Sequence, residues 1–356
     1  MLAAEADAAK PGEGALRYPF QDEPGTGDGS AIEVAPGVLW LRMPVFAALP
    51  FINVWALADQ GGWTIIDTGL KTPRTLAAWE QAFSGALAGL PVVRVLVTHM
   101  HPDHAGMAAW IAERFKAPLW MSQLEYLTCR LLAADTGRKA PAEAVAFYRG
   151  AGWPDEALER YKARFGAFGE MIYPLPASYR RIVDGEQLVI GGRTWKVLVG
   201  RGHSPEHVCL HCAELDLFIA GDQVLPKISS NVSIYPTEPE ANALRDWLDS
   251  IEHLASSVPG DPLVLPSHNS PFFGLRARLA QLAADHRKGL AALCDALDSP
   301  RKAVDLFPSL FARRISDELL GFATGEVIAH LNYLWKAGTI RRELDAEGTW
   351  WWSRIR

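Results

Sequence analysis

A cluster of four potential metal ligands lies within six residues of the sequence. His99, His101, Asp103 and His104 occur in the stretch THMHPDH at positions 98–104, directly after an apolar run rich in valine. Imidazole nitrogens and carboxylate oxygens are good ligands for borderline divalent cations. A loop that presents them from both sides of a small volume suits two such cations, so the spacing predicts a metal site.

The same four residues match the motif H-x-H-x-D-H, and by this motif the sequence resembles the metallo-β-lactamase fold superfamily. The resemblance continues through GHSPEH at 202–207, AGD at 220–222 and LPSH at 265–268, and it spans residues 31–275. It implies an αββα sandwich and a dinuclear metal centre in which one aspartate bridges the ions. The ligands it implies are His99, His101 and His203 for one metal, Asp103, His104 and His268 for the other, and Asp222 as the bridge.

Three other residues are candidates for supporting roles. Asp67, within a DTG stretch, resembles the superfamily's first acidic motif, which implies that it orients a ligand histidine by accepting its second N–H. His207 follows His203 closely enough to reach the rim of the site, and an ordinary packed histidine is the alternative. Lys227 follows Asp222 on a loop, where it is either a contact for a substrate carboxylate or a solvated lysine.

The resemblance implies a hydrolase of the glyoxalase II-like or lactonase-like kind. Two divalent cations, zinc first and manganese or iron as alternatives, would lower the pKa of bound water and hold a bridging hydroxide at neutral pH. That hydroxide would attack the carbonyl of a small ester, thioester, lactone or β-lactam. We predict Asp103 and Asp222 as catalytic, because Asp103 could orient the hydroxide or carry a proton and Asp222 would set the distance between the metals.

Two departures from the common pattern leave substrate specificity open. Ser267 stands where a glycine often precedes the last histidine, and Gly200-Arg201 stands where Thr-Pro is frequent. Neither change removes a ligand. Both loops border the predicted pocket, so the superfamily's substrates do not transfer directly.

Three other functions are alternatives at this point. A metal-dependent endoribonuclease would use the C-terminal region for RNA, but residues 276–356 hold only thirteen Lys or Arg against ten Asp or Glu, beside an acidic catalytic domain. A mononuclear iron persulfide dioxygenase uses fewer ligands than are present here. A non-catalytic scaffold is disfavoured because the ligand set is intact.

Short β-like runs alternate with helical stretches through the region that carries the motifs. Runs at 52–57, 63–66 and 92–97 are typical of strands, and a helical stretch at 73–88 precedes the last of them. This βαβ alternation predicts a layered α/β domain. A helix-rich segment at 122–172 interrupts it and predicts a helical cap inserted over the pocket.

The two ends of the chain differ from this central region. Residues 1–30 are rich in Ala, Gly and acidic residues and predict a flexible arm before the catalytic domain at 31–275. Residues 276–356 are helical at first, and a helix at 325–336 followed by two short strands predicts a winged-helix-like domain. We expect this domain to serve packing or assembly, with the tryptophans at 350–352 as exposed aromatic surface.

Composition narrows the class of protein further. The 356 residues, 49% hydrophobic and 21% charged, exclude a minimal binding module and global disorder. A net charge of −6 disfavours nucleic acid as a partner, and the sequence shows no apolar stretch long enough to span a membrane. Four irregularly spaced cysteines and an N-terminus without a secretory pattern predict a cytoplasmic enzyme. The expected partners are a small-molecule substrate and, as a candidate, a second copy of the chain.

Overall fold

Two β-sheets stacked face to face form the centre of the protein. The computed structural model describes residues 16–45 and 49–355. The first sheet has seven strands whose order in space is their order in the chain: β1 (Ile32–Ala35), β2 (Val38–Pro44), β3 (Phe51–Asp59), β4 (Gly62–Ile66), β5 (Val92–Leu96), β6 (Leu119–Met121) and β7 (Arg180–Arg181). Pairing is antiparallel up to β4 and parallel from β4 to β7.

The second sheet has five strands and ends in a parallel pair. Its strands are β8 (Gln187–Ile190), β9 (Arg193–Gly200), β10 (His207–Cys212), β11 (Leu217–Gly221) and β12 (Leu263–Pro266). Their order in space is β12-β11-β10-β9-β8. Only β11 and β12 pair in parallel, and the other neighbours in this sheet are antiparallel.

The central strands of the first sheet, β2 to β5, are largely buried on both faces. Successive side chains of a strand point to opposite sides, so one face of β2 and β3 meets the second sheet and the other meets helices. Trp40 and Trp55 join Trp195 of β9 between the sheets, whereas Leu41 and Val54 pack under helices. Burial on both faces explains why these strands read as nearly continuous apolar runs.

Helices cover the outer face of each sheet. On the first sheet lie α1 (Pro73–Ser84), the short α2 (Pro102–Ala105) and α3 (Ala108–Phe115); on the second lie α7 (Ala243–Ser257) and α8 (Leu275–Ala296). The predicted αββα sandwich is therefore confirmed. Helix α7 was not among the predicted elements, although its buried residues Leu244, Trp247 and Ile251 follow a helical period.

The predicted helical insertion lies between β6 and β7. It contains α4 (Gln123–Ala134), α5 (Ala142–Gly150), α6 (Asp155–Arg164) and a 3₁₀ turn at Ala167–Glu170. Its aromatic rings pack on one another, as shown by Tyr148 and Trp153, whose ring centroids are 4.2 Å apart. The indole N–H of Trp153 donates to Thr324 at 2.9 Å. The insertion is therefore also a docking surface for the C-terminal domain.

The C-terminal domain has the expected order of helix, strand, turn and strand. A 3₁₀ turn at Ala303–Leu306 and α9 (Phe307–Leu310) lead to α10 (Leu320–Lys336), β13 (Ile340–Leu344) and β14 (Trp350–Arg354). The two strands form an antiparallel hairpin. Across residues 16–45 and 49–355, no helix is both long and apolar enough to cross a bilayer.

The aromatic surface expected on β14 is packed within the chain instead. Trp352 is fully buried, and the ring of Trp350 meets that of Phe147 on α5 at 5.6 Å. The guanidinium of Arg342 covers the rings of Trp350 and Trp352 at 5.0 and 5.6 Å. The expectation was wrong because the hairpin folds back on the helical insertion, which a local pattern does not reveal.

The segment before β1 also differs from expectation. Residues 1–15 of the predicted flexible arm lie outside the described residues, but residues 16–30 pack against the two-sheet sandwich. Arg17 and Phe273 exchange backbone hydrogen bonds of 3.1 and 2.8 Å, and Glu23 forms an ion pair with the buried Arg42 at 2.7 Å. This irregular segment takes its partners from β2 and from the chain after β12, so its own composition did not predict its order.

Candidate metal centre

The histidine motif lies on the loop after β5 and in the short helix α2. Pro102 occupies the first turn of α2, where its missing N–H costs no hydrogen bond. His99 and His101 precede the helix, and Asp103 and His104 lie within it. The loop and the helix together supply four of the seven predicted ligands.

The other three predicted ligands come from the second sheet. His203 follows β9, Asp222 follows β11 and His268 follows β12. Their strands run in the same direction, so their carboxyl ends meet at one edge of the sheet. The predicted ligands form three sets, and the ligand atoms within each set lie within 4.8 Å of one another. The sets are His99, His101 and His203; His99, His104 and Asp222; and Asp103, His104 and His268.

The first set is a group of three histidines. Nε2 of His99 lies 2.8 Å from Nδ1 of His101 and 3.3 Å from Nε2 of His203. Burial, together with the neighbouring histidines, lowers the pKa of His99 well below its usual range and that of His101 to about 3. Both imidazoles are therefore neutral near pH 7, which is the form that binds a metal ion.

Asp222 lies between the three-histidine set and the set of Asp103, His104 and His268, which is called the second set. Its Oδ2 is 3.5 Å from Nε2 of His203, while its Oδ1 is 3.6 Å from Nε2 of His104 and 3.5 Å from Nε2 of His268. Asp103 completes the second set, with Oδ2 at 3.4 Å from Nε2 of His268. One carboxylate thus faces both sets with different oxygens.

Two ligand atoms of the second set, together with one oxygen of Asp222, fit a metal ion. Within the described part of the chain, Nε2 of His104, Nε2 of His268 and Oδ1 of Asp222 are buried and have no hydrogen-bond partner. Buried polar atoms are nearly always satisfied, and three such atoms that face one small volume suit an occupant that accepts their lone pairs. A divalent cation meets that requirement.

In His104, His203 and His268, the second ring nitrogen, Nδ1, faces a hydrogen-bond acceptor. Nδ1 of His104 lies 2.8 Å from Oδ2 of Asp67, Nδ1 of His203 lies 2.8 Å from the carbonyl of Asn231, and Nδ1 of His268 lies 3.0 Å from the carbonyl of Phe51. Such acceptors fix the tautomer that leaves Nε2 free for a metal. The two carbonyl contacts were not predicted, because any residue type can supply a backbone oxygen.

Asp67 does more than contact His104. Its carboxylate also accepts hydrogen bonds from the backbone N–H and the hydroxyl of Thr98, both at 2.8 Å. Asp67 is fully buried and has a φ of 60°, in the left-handed region that few non-glycine residues adopt. The surrounding hydrogen bonds maintain this backbone, and they join the end of β4 to the histidine motif.

The side chain of His207 contacts the backbone of Asp222, the predicted bridging residue. Its Nε2 accepts a hydrogen bond of 3.0 Å from the N–H of Asp222, and it is fully buried. Gly221 has a φ of 54°, and a Cβ there would lie 2.4 Å from Cε1 of His207. The imidazole can approach the strand end only because residue 221 is glycine.

Charges at the site favour a bound cation. Burial alone would lower the pKa of His104, but the carboxylates of Asp67 and Asp103 outweigh it and raise that pKa well above its usual range. Burial would likewise raise the pKa of Asp222, but His268 and His104 outweigh it and lower that pKa strongly. Several ionised carboxylates in a buried volume create a negative field that a divalent cation compensates.

Lys227 has neighbours in the N-terminal segment. It is exposed, and its Nζ is 6.0 Å from the ring centroid of Tyr18. Its charge also acts on Glu23 of the N-terminal segment. No hydrogen bond or ion pair within the described residues joins Lys227 to a predicted ligand, so its substrate contact stays a prediction.

Protein-family models match both parts of the chain. The model described as metallo-beta-lactamase superfamily matches residues 48–268, and that described as metallo-beta-lactamase-like, C-terminal domain, matches residues 290–355. The chain therefore belongs to the metallo-β-lactamase superfamily. It is a hydrolase of that superfamily, whose members bind divalent metals.

Individual proteins agree with this assignment. A beta-lactamase domain protein from Burkholderia ambifaria has a solved structure that is 40% identical, with a TM-score of 0.88 over 97% of this chain and 100% of that chain. A probable metallo-hydrolase, YqjP, of Bacillus subtilis is 23% identical over 83% of this chain and 92% of its own length. A hydroxyacylglutathione hydrolase of Xanthomonas euvesicatoria is 25% identical over 64% of this chain and 65% of its own length.

Proposed function

We propose that the protein is a dinuclear metal-dependent hydrolase that acts on the carbonyl group of a small ester, thioester, lactone or β-lactam. The observation that carries the proposal is the position of Asp222, whose two oxygens face different ligand sets at 3.5 and 3.6 Å. A carboxylate placed in this way suits a bridge between two ions. Zinc is the metal we expect, because both sets offer the nitrogen and oxygen donors that it prefers, and manganese and iron are the alternatives.

The residues of the chain would hold the metal ions and orient the reacting groups, and the ions would supply the activation. Two divalent cations at these sets would supply hydroxide at neutral pH and polarise the substrate carbonyl. Asp103 is half-buried and His101 is partly exposed, whereas the other five predicted ligands are buried. The open side of the centre is therefore beside Asp103 and His101. We assign to Asp103 one of two roles: it orients the attacking water, or it carries a proton from that water to the leaving group.

A thioester is the first substrate to examine. The support is the similarity to a protein named hydroxyacylglutathione hydrolase, which this chain covers over 65% of its length. Lys227 is retained in the proposal as a contact for a substrate carboxylate, on its place in the loop after Asp222.

The C-terminal domain is proposed to support the fold of the enzyme and not to bind nucleic acid. Arg342 forms an ion pair with Glu240 at 2.6 Å, and Arg341 lies 3.2 Å from Glu343. Cations that are already paired within the chain are poor contacts for phosphate. We also propose a cytoplasmic location, supported by four free cysteines, of which three are buried.

Metal analysis joined to a substrate screen tests the proposed function. The protein would be stripped with a chelator, reconstituted with Zn²⁺ and assayed with a thioester, a lactone, a β-lactam and a phosphodiester. We expect two metal ions per chain and hydrolysis of at least one carbonyl substrate. A single ion per chain in excess zinc, or activity on the phosphodiester alone, would contradict the proposal.

A further inference from the structure

Glu125 is a buried carboxylate that the resemblance did not single out. It lies on α4 of the helical insertion and has no exposed surface. Its Oε1 accepts hydrogen bonds from the hydroxyl of Ser204 and the N–H of Glu206, both at 2.7 Å, and its Oε2 accepts one from the N–H of Met100 at 2.9 Å. Both oxygens are therefore used by donors from other parts of the chain.

The three donors belong to the two segments that supply the three-histidine set. Met100 lies between His99 and His101, whereas Ser204 directly follows His203. These segments leave different sheets, β5 in the first and β9 in the second. Glu125 is thus a single group that joins them on the side of the site formed by the helical insertion.

Burial makes this carboxylate dependent on its donors. Desolvation raises the pKa of Glu125, while the hydrogen bonds from Ser204, Glu206 and Met100 act in the opposite direction. Hydrogen bonds to an ionised carboxylate are shorter and stronger than those between neutral groups. A glutamine would offer only one acceptor oxygen and would turn an N–H₂ group towards at least one N–H donor.

We propose that Glu125 is a positioning residue for the metal ion at the three-histidine set. It holds His203 at the separation from His99 and His101 that lets three imidazole nitrogens share one ion. The metal position formed by Asp103, His104 and His268 receives no hydrogen bond from Glu125. The inference rests on the proposed dinuclear function, and it adds that the two metal positions depend on different supports.

Metal binding by Glu125→Gln tests the proposal without an activity assay. The wild-type and variant proteins would be dialysed against graded Zn²⁺ and analysed for bound metal, and the thermal unfolding of each metal-free protein would report on folding. We expect two ions for the wild type. For the variant we expect at least a tenfold weaker second binding step, leaving one ion at intermediate zinc. X-ray absorption of the remaining zinc should show two histidines together with carboxylate oxygens, not three histidines.

Glu206→Gln is the matched control. The side chain of Glu206 accepts a hydrogen bond of 2.9 Å from the N–H of Leu124, so it joins the same loop to the same helix. It makes no contact with Met100. We therefore expect this variant to bind two ions like the wild type.

A milder variant keeps the test decisive if Glu125→Gln does not fold. Ser204→Ala removes one donor and leaves the two backbone hydrogen bonds to Glu125, and we expect a smaller weakening of the same binding step. Unchanged binding of both ions by Glu125→Gln, or by Ser204→Ala in its place, would overturn the inference and leave the proposed function intact. A wild type that binds one ion would instead overturn the proposed dinuclear function.

Discussion

The carbonyl of Asn231 lies 2.8 Å from Nδ1 of the predicted ligand His203, and the side chain of Asn231 reaches the C-terminal domain. Its amide donates to Oε2 of Glu326 on α10 at 3.0 Å. Three residues further along, the N–H of Ile234 donates to the carbonyl of Gly325 at 3.1 Å. The segment that orients a ligand histidine is therefore fixed against a helix that supplies no ligand.

Gly325→Ala should weaken this contact. A Cβ at Gly325 would lie 2.6 Å from the hydroxyl oxygen of Ser233, so the loop or the helix must move. We expect a loss of about 1–3 kcal/mol in the free energy of unfolding and weaker zinc binding. Gly321→Ala on the same helix has open space and should be neutral or stabilising by up to about 1 kcal/mol. Equal zinc affinity in both variants would contradict the expectation.

Asp222→Ala should lose far more activity than Lys227→Ala. The first change removes the carboxylate that faces both ligand sets, and we expect kcat/KM to fall by more than about 100-fold. The second removes at most a contact that binds ground and transition states equally, so KM should rise about tenfold with kcat kept. Steady-state kinetics on the same substrate separates the two. An unchanged KM would remove Lys227 from the site.

Asp67→Asn should weaken metal binding more than it weakens the fold. The amide cannot accept from the N–H and hydroxyl of Thr98 and from His104 at once, so the tautomer of His104 is no longer fixed. Loss of such an acceptor typically lowers metal affinity about 10–100-fold. Asp59→Asn is the comparison. Asp59 also accepts a backbone hydrogen bond, at 3.0 Å from Gly191, but it pairs with Gly62 at the start of β4, whereas Asp67 follows the end of that strand. Zinc titration of both variants should show the loss only in the first.

Two buried histidines between α8 and α10 should make stability depend on pH. Burial lowers the pKa of His286 to about 3 and that of His330 to about 4, and the rings are linked at 3.2 Å. An unfolded histidine has a pKa near ~6.5, so between about pH 6.5 and 4 the unfolded chain takes up protons that the folded chain does not. Their contribution to stability is therefore full above that range and is lost as the pH falls. From pH 7 to 5 we expect a loss of about 2 kcal/mol for each histidine.

The variant His330→Gln isolates this effect from the titration of the metal ligands. Urea unfolding of the metal-free wild type and variant at pH 7 and pH 5 gives four free energies of unfolding. The fall between the two pH values should be smaller in the variant by about 2 kcal/mol. An equal fall in both proteins would show that His330 does not contribute.

The protein should not bind RNA or DNA tightly. Arg342 is held between aromatic rings and Glu240, so Arg342→Ala should cost stability and leave any nucleic-acid affinity unchanged. Fluorescence anisotropy with labelled RNA and DNA at two salt concentrations measures this. Submicromolar, salt-sensitive binding that disappears with Arg341 and Arg342 substitutions would support the nuclease alternative instead.

Much of the fold was predictable because its signals are local. The valine-rich run before His99 is a strand, and the ligand motif follows it as a loop and one helical turn. The strand patterns in the second sheet also placed His203, Asp222 and His268 at strand ends, where parallel directions bring them together. Helix α7 also has a local signal, because its buried residues Leu244, Trp247 and Ile251 recur with a helical period.

The supports of the site were not predictable in the same way. Glu125 meets Ser204 across 79 positions of sequence, and the carbonyl of Asn231 meets His203 across 28. Such contacts depend on how the helical insertion and the C-terminal domain dock on the sandwich, and the residue types involved are common elsewhere. The burial of the tryptophans of β14 depends on the same docking, so the local pattern did not predict it.

The hydrogen bond between Asn231 and α10 has a consequence for a chain that is still being synthesised. The last predicted ligand is His268, yet the helix that steadies the loop behind His203 spans Leu320–Lys336. A nascent chain that has already exposed every ligand therefore still lacks one of the contacts that shape the three-histidine set. We expect a product that terminates before α10 to carry every predicted ligand and yet to bind metal more weakly than a chain that includes this helix.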